Sequence, residues 1–210
     1  MKILIFGATG ATGIQLVQQA LDQQFVVTAF VRDVSKLTLQ HPNLRVVTGD
    51  IKKVKTIQEA VVGQDAVLSA LGVSKNQSRD TTLSDGARYI LEAMEQQGIQ
   101  RFICETSMGV GSSKGQGSWL FERVFTPLFL KHIMADKERQ EALIQHSSLD
   151  WTIVRPAGLT NGARMGEYKV GSSFANTRIK NRISRADVAD FMLRQLKTDA
   201  FVQKAVNISY

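Results

Sequence analysis

Residues 2–13 read Lys2-Ile3-Leu4-Ile5-Phe6-Gly7-Ala8-Thr9-Gly10-Ala11-Thr12-Gly13, and the order of residue types here decides the fold. A short apolar run stops at Gly7. An amphipathic segment, Thr12 to Gln23, then repeats Ile14, Val17 and Leu21 at helical spacing. A GxxGxxG string is weak evidence alone; between a strand and a helix it marks a dinucleotide loop. Each glycine has its own task. Gly7 permits the tight turn, Gly10 lets the backbone approach a pyrophosphate, and Gly13 lets the helix pack close on the sheet. Thr9, Ala11 and Thr12 complete the loop, and the helix's free N–H groups and positive dipole end face the phosphates. The stretch predicts a dinucleotide site; the alternative is a scaffold that has retired it.

Working outward, strand-like runs alternate with helix-length segments. Phe25 to Val31, Leu44 to Thr48, Ala66 to Ala70, Arg101 to Cys104, Trp151 to Val154 and Ala205 to Ile208 read as strands. Ile57 to Val62 ends a helix; Leu83 to Gln97 and Ala135 to His146 are helices, and Gly98 is placed for a C-cap. This alternation predicts right-handed βαβ units: an α/β fold with a parallel sheet covered by helices on both faces. Arg155-Pro156 is expected to stop the sixth strand. Gly109 to Ser118, with four glycines and three serines, reads as a mobile loop, and Trp119 to Phe129 as a lid, a core helix or a partner surface. Glu167 to Phe174 and Arg178 to Ile183 look like a small hairpin, and Ser184-Arg185-Ala186-Asp187 like a capping box opening the last helix. The expectation is one domain over residues 1–210, with 156–184 a small substrate-side elaboration.

The second strand selects the dinucleotide. An NAD site places an acid at this strand's end, on the ribose 2′-hydroxyl. Here Phe30-Val31-Arg32 is followed by Asp33, Ser35 and Lys36. Arg32 can grip a 2′-phosphate and stack on adenine, and Lys36 adds a point charge, so NADP is favoured. The alternative is two surface cations, with Asp33 serving NAD. Asp50, before Ile51, either accepts from the adenine amino group or makes a turn. Ala70, Leu71 and Gly72 end the fourth strand, where a small residue lets the chain pass close to the cofactor ribose.

Composition narrows the classes. At 210 residues, 43% hydrophobic and 21% charged, the chain can build a core, and no apolar run is long enough to span a bilayer. Met1 and Lys2 lead directly into a strand, so no signal peptide is expected. One cysteine, Cys104, forms no internal disulfide, which suits a reduced, cytoplasmic setting. Three histidines without ligand spacing argue against zinc, so no metal is expected. The net charge of +7 is scattered singly, which favours an anionic small molecule over nucleic acid or membrane. The densest basic stretch, Arg164 to Arg185, sets six cations against Glu167 alone; its plain reading is a solvated hairpin.

The chain resembles an atypical short-chain dehydrogenase of the NmrA-like group, most of all the biliverdin IXβ reductase/flavin reductase branch. The resemblance rests on Gly7 to Gly13, Val31-Arg32-Asp33, Gly49-Asp50, Gly63 to Val67, Ser84 to Arg88, Thr106-Ser107 and Ser184 to Leu193, nearly the whole chain. It implies a Rossmann doubly wound sheet, NADPH as cofactor, and a small-molecule acceptor: flavin, biliverdin-type tetrapyrrole or quinone. It also implies a monomer or weak homodimer. Ser107 stands where the superfamily keeps its site serine; the alternative is a capping hydroxyl. The superfamily's usual acid is a tyrosine four residues before a lysine. Here Lys137 is present, to hold the ribose hydroxyls, but Ile133 occupies the tyrosine's place. Tyr89 reads as core, and Tyr168 and His132 as residues that could line a pocket. A developing alkoxide needs a positioned acid, whereas a delocalised acceptor can take its proton from water, so the missing tyrosine favours the latter. Arg155 to Leu159 lacks the histidine that some members carry near the substrate, which weighs against a tetrapyrrole more than against the cofactor. The competing reading is an NADP(H) sensor that has lost turnover.

Overall fold

The computed structural model describes residues 1–73, 81–116 and 131–210. In chain order the elements are β1 (Lys2–Phe6), α1 (Ala11–Asp22), β2 (Val26–Val31), β3 (Leu44–Thr48), α2 (Val54–Val61), β4 (Ala66–Ser69), α3 (Thr82–Gln96), β5 (Arg101–Glu105), α4 (Lys131–His146), β6 (Asp150–Pro156), β7 (Gly158–Thr160), β8 (Lys169–Gly171), β9 (Arg182–Ser184), α5 (Arg185–Arg194) and β10 (Lys204–Ser209). Eight strands form one sheet in the order β3-β2-β1-β4-β5-β6-β10-β8. All neighbours are parallel except β8, which runs antiparallel on β10. The chain leaves β1 toward β2 on one side and later returns to place β4 on the other, so the strand order reverses there. Open parallel sheets bind ligands in that crevice, outside the carboxyl ends of the strands.

Side-chain alternation builds a core on each face. On β1, Ile3 and Ile5 pack with Leu16 and Val17 of α1 and with Val188 and Phe191 of α5. Leu4 and Phe6 point the other way, toward Ile57 of α2, Ile90 of α3 and Ile144 of α4. Both faces are covered, as the alternating pattern predicts. No helix among the described residues is long and apolar enough to cross a membrane.

Two helix starts are built from distant residues. The N-terminus of α3 has no cap from Thr81; instead Asp136 of α4, fully buried, accepts from the Leu83 N–H at 2.9 Å, the Ser84 N–H at 3.4 Å and the Ser84 hydroxyl. Ser184 caps α5 by accepting from the Asp187 N–H at 3.0 Å. The Asp187 carboxylate also holds the Met165 and Gly166 N–H groups and the Tyr210 hydroxyl.

Two local expectations are corrected. The proposed hairpin does not form: β8 pairs with β10, and β9 pairs in parallel with β7. Val170 and Ile183 instead join the existing sheet-side core, which offers more apolar surface than they could offer each other. β6 is not stopped before Arg155-Pro156 but runs through both. Proline is tolerated at this strand end because its carbonyl still accepts, here from the Met108 N–H at 3.0 Å. The described part of the glycine-serine loop is a 3-10 turn, Gly111–Ser113, with Ser113 buried and its hydroxyl donating to the Val110 carbonyl at 2.7 Å. Gly117, Ser118 and the Trp119–Phe129 stretch lie outside the described residues.

Candidate functional site

At the reversal point, the three loop glycines have different reasons to be glycine. Gly7 has φ +78°, and a Cβ there would lie 2.4 Å from the Ala70 carbonyl oxygen. A Cβ on Gly13 would lie 2.0 Å from the Gly7 carbonyl oxygen, so the side chain is excluded by the close approach of α1 to the turn. Gly10 has an ordinary φ of −73° and would place its Cβ a merely tight 3.1 Å from the same oxygen. Gly10 donates to the Gly7 carbonyl at 2.9 Å, and the first α1 bond runs from Ile14 to Gly10 at 2.8 Å. The N–H groups of Ala11, Thr12 and Gly13 therefore have no partner within the helix. No side chain caps this end and no acid occupies its first turn. Thr9 lies on the turn between Gly7 and Gly10. A run of free backbone N–H groups with no acid in its own first turn suits a pyrophosphate, so the residues present fit a dinucleotide.

At the end of β2, Arg32 is exposed and has no ion-pair partner among the described residues. Asp33 is used by its own turn: its carboxylate accepts from the Ser35 N–H at 3.0 Å and the Ser35 hydroxyl at 2.7 Å. Those two bonds, the hydroxyl's first, hold its pKa below the ordinary value. Lys36 stands 4.0 Å from it. The acid is thus committed locally and the arginine is not. Asp50 is likewise tied into a turn, accepting from the Lys52 N–H at 3.0 Å, while Ile51 is buried with its Cγ1 only 2.6 Å from where a Cβ of Gly86 would sit. Ala70 lies under Gly7, Leu71 reaches toward Gly86, and Gly72 faces open space.

The end of β5 holds more chemistry than its sequence signals. Thr106 donates to Glu141 at 2.6 Å, and Glu141 is gripped by Arg155 through Nε at 3.0 Å and through a second, shorter bond. Arg155 also donates to the Ser112 hydroxyl at 2.8 Å, and its guanidinium occupies the space a Cβ of Gly111 would need. Both members of this pair are almost wholly buried, at 1% and 2% exposure. Lys137, one turn before Glu141, donates to the Thr106 carbonyl at 2.6 Å. Burial pushes its pKa down, and Glu105 heads the groups that pull it back up. The Glu105 carboxylate accepts from the Thr12 hydroxyl at 3.2 Å, which joins β5 to the dinucleotide loop. Ser107 is half-buried, its hydroxyl on the Met108 carbonyl at 3.1 Å. Cys104 is fully buried, and desolvation pushes its thiol up to about 12.

The sequence assigns Ser107 to this strand end and Lys137 to the helix that follows, and the structure brings the Lys137 amine onto the same strand end. Sequence reasoning missed Glu105, Glu141 and Arg155. The Lys137-Glu141 spacing of one helical turn was the available signal for Glu141.

Beyond Ser107, Met108, Ala157 and Phe174 form a small apolar cluster with Ile179 against it. Arg178, Lys180 and Arg182, on the same segment, are exposed. Tyr168 does line a cavity of about 540 Å³, but that cavity is walled by Phe191, Arg194 and Phe201 at the far half of α5, and its hydroxyl is bound to Asp190 at 2.8 Å. Tyr89 is partly buried on α3 beneath the Arg88 guanidinium, and His132 is exposed at the first turn of α4. No His, Cys, Asp and Glu cluster that could hold a metal ion occurs among the described residues.

The chain matches the NAD(P)H-binding family over residues 7–199. It is 30% identical to the chloroplastic protein At2g34460 of Arabidopsis thaliana, covering 99% of this chain and 76% of that protein. It is 28% identical to the photosystem II assembly factor Ycf39 of Synechocystis, covering 97% of this chain but only 61% of the relative. Among solved structures, ChuY from Escherichia coli O157:H7, described as an anaerobilin reductase, superimposes with a TM-score of 0.81 at 25% identity, covering 100% of this chain and 97% of the other. The glycine cradle at the sheet's reversal point and the match over nearly the whole sequence agree: the chain belongs to the NAD(P)H-binding family.

Proposed function

We propose that the protein is an NADPH-dependent oxidoreductase whose acceptor is delocalised: a flavin, a biliverdin-type tetrapyrrole or a quinone. The observation that carries the reading is the pair Ile133 and Lys137 on α4. Lys137 is docked on the end of β5, and one turn earlier, where a tyrosine would deliver a proton, stands an isoleucine. Of the chain's three tyrosines, Tyr168 and Tyr210 give their hydroxyls to Asp190 and Asp187, and Tyr89 lies on α3. A bound nicotinamide dinucleotide supplies the hydride. The protein's share is to hold and orient it: backbone N–H groups of Ala11 to Gly13 for the pyrophosphate, Arg32 and Lys36 for the 2′-phosphate, Lys137 for the ribose side, and Ser107 beside the reacting ring. An acceptor that spreads the incoming charge over many atoms takes its proton from water and needs no acid here. The likeness to a protein described as an anaerobilin reductase supports this acceptor class.

The test is NADPH oxidation against FMN, biliverdin isomers and quinones. Turnover with at least one of these, and none with simple ketones, is expected. A second reading, an NADP(H) sensor without turnover, is favoured by the likeness to an assembly factor. Tight NADPH binding with no oxidation across the panel would establish it instead.

A further inference from the structure

Glu105 is a buried carboxylate that neither the loop motif nor the proposed chemistry accounts for. It is 7% exposed, at the last position of β5. Its hydrogen-bond donor is the Thr12 hydroxyl, at 3.2 Å. Thr12 is the second residue of α1, so its side chain points its proton away from the cradle. What remains for a pyrophosphate at that position is the backbone N–H. The groups facing Glu105 from the packed elements are Thr12 of α1, Lys137 of α4 and Arg185 of α5. Neither cation donates a hydrogen bond to it: Lys137 is spent on the Thr106 carbonyl and Arg185 on the Asn161 side chain at 2.6 Å. The carboxylate therefore lies next to the anion cradle with its charge only partly offset.

Given the dinucleotide reading of the cradle, we propose that Glu105 takes up a proton from solvent when the dinucleotide binds, so that it sets the pH dependence of cofactor affinity. The physical reason is like charge. Bringing phosphates to the N–H groups of α1 places anionic oxygens near a carboxylate already held against Thr12. Like charges at such range raise a carboxyl's pKa. Burial has already raised Glu105 above its ordinary value in the free chain, with Lys137, Thr12 and Arg185 pulling it back in that order. Binding adds to the upward push. The sign follows: where the free protein holds Glu105 as carboxylate and the complex holds it protonated, affinity falls as pH rises. A shift of one unit on binding corresponds to about a tenfold change in affinity across that window.

The experiment is calorimetric titration with NADP⁺ and with NAD⁺, each in buffers of different ionisation enthalpy, over about pH 5.5 to 9. NAD⁺ lacks the 2′-phosphate, whose own titration is thereby removed. In the unaltered protein, net uptake peaking at about half a proton per dinucleotide is expected, with Kd rising about tenfold toward the alkaline end. Glu105→Gln keeps an acceptor for Thr12 and removes the charge. It should abolish the uptake, flatten the Kd profile and bind as tightly as, or more tightly than, the unaltered chain at alkaline pH. Uptake that survives Glu105→Gln, or that is absent from the unaltered protein while both dinucleotides bind, would overturn the proposal and leave the dinucleotide reading intact. Failure of the unaltered protein to bind either dinucleotide would remove both. Glu105→Gln binding tenfold weaker at every pH, with an unchanged melt, would show that the charge is needed and would also overturn it.

Discussion

Arg32 and Ser107 stand at different strand ends of the candidate site, and their surroundings predict different roles. Arg32 is exposed at the end of β2 while its neighbour Asp33 is consumed by the bonds to Ser35. A charge-assisted contact to a 2′-phosphate is therefore available, and the competing acid is not. NADPH is expected to bind at least about tenfold tighter than NADH, about 1.4 kcal/mol, and Arg32→Ala to erase most of that difference. Fluorescence titration with both cofactors measures it; equal affinities in the unaltered chain would remove the NADP assignment. Ser107 lies two residues beyond β5, and its hydroxyl donates to a neighbouring carbonyl. A neutral donor that orients the ring or the acceptor acts more on the transition state than on binding. Ser107→Ala should lower turnover about 5- to 100-fold, or about 1 to 3 kcal/mol, with NADPH affinity within a few-fold. Lys137→Ala should weaken cofactor binding instead. Both constants for both variants separate the roles. The positions of Arg32 and Ser107 just past strand ends were legible in the sequence. Glu105 was not: in sequence it is one acid after an apolar run, and its contact with Thr12 of α1, 93 residues away, forms only in the fold.

At the scale of elements, the turn between β1 and α1 separates two glycines that the fold needs from Gly10, which the backbone alone does not require. Gly13→Ala would force a Cβ to within 2.0 Å of a backbone oxygen, so α1 must move off the sheet. A loss of about 3 kcal/mol in stability is expected, at the severe end of overpacking, read as a lower midpoint in urea. Gly10 has an ordinary backbone conformation and one tight contact, so Gly10→Val should keep the fold and lose the dinucleotide, because its side chain stands where the pyrophosphate approaches. A Gly10→Val protein that still binds NADPH normally would show that the phosphates lie elsewhere. The start of α3 makes a second case. It has no local cap and depends on Asp136 of α4, so Asp136→Ala strands two N–H groups in the interior, while the Ser84 hydroxyl keeps the Thr81 carbonyl at 3.2 Å. The cost is about 2 to 4 kcal/mol, and Asp136→Asn, which retains an acceptor, should recover part of it in a thermal melt. The helices themselves were readable from period alone. This cap was not, because Asp136 lies more than fifty residues from the groups it satisfies. The pairings of β8 and β9 were unreadable for a related reason: a three-residue strand carries too little pattern to name its partner, and the open edge of β10 decides it.

Across the whole molecule, every group assigned to the dinucleotide sits at the carboxyl ends of parallel strands, on both sides of the reversal between β1 and β4. That arrangement was legible at the level of topology, since alternating strands and helices that begin with a glycine turn permit few other orders. The buried network behind it was not, because Thr106, Glu141 and Arg155 come from just after β5, from α4 and from β6, and meet only when the sheet is assembled. The placement has a thermodynamic consequence. A ligand held at the same time by the α1 cradle, Arg32 after β2 and Lys137 on α4 binds the folded chain and finds no such site in the unfolded one. Its binding energy then adds to stability by mass action: at a free NADPH concentration of about 100 Kd the gain is about 2.7 kcal/mol. For a chain of this length each kcal/mol moves the midpoint by about 2 to 4 °C, so NADPH should raise Tm by about 5 to 10 °C. Gly10→Val should melt near the unaltered protein without ligand and show no rise with it, whereas Arg32→Ala should show a reduced rise with NADPH and an unchanged one with NADH. An equal rise in Gly10→Val would mean that NADPH stabilises the chain from a site other than this cradle.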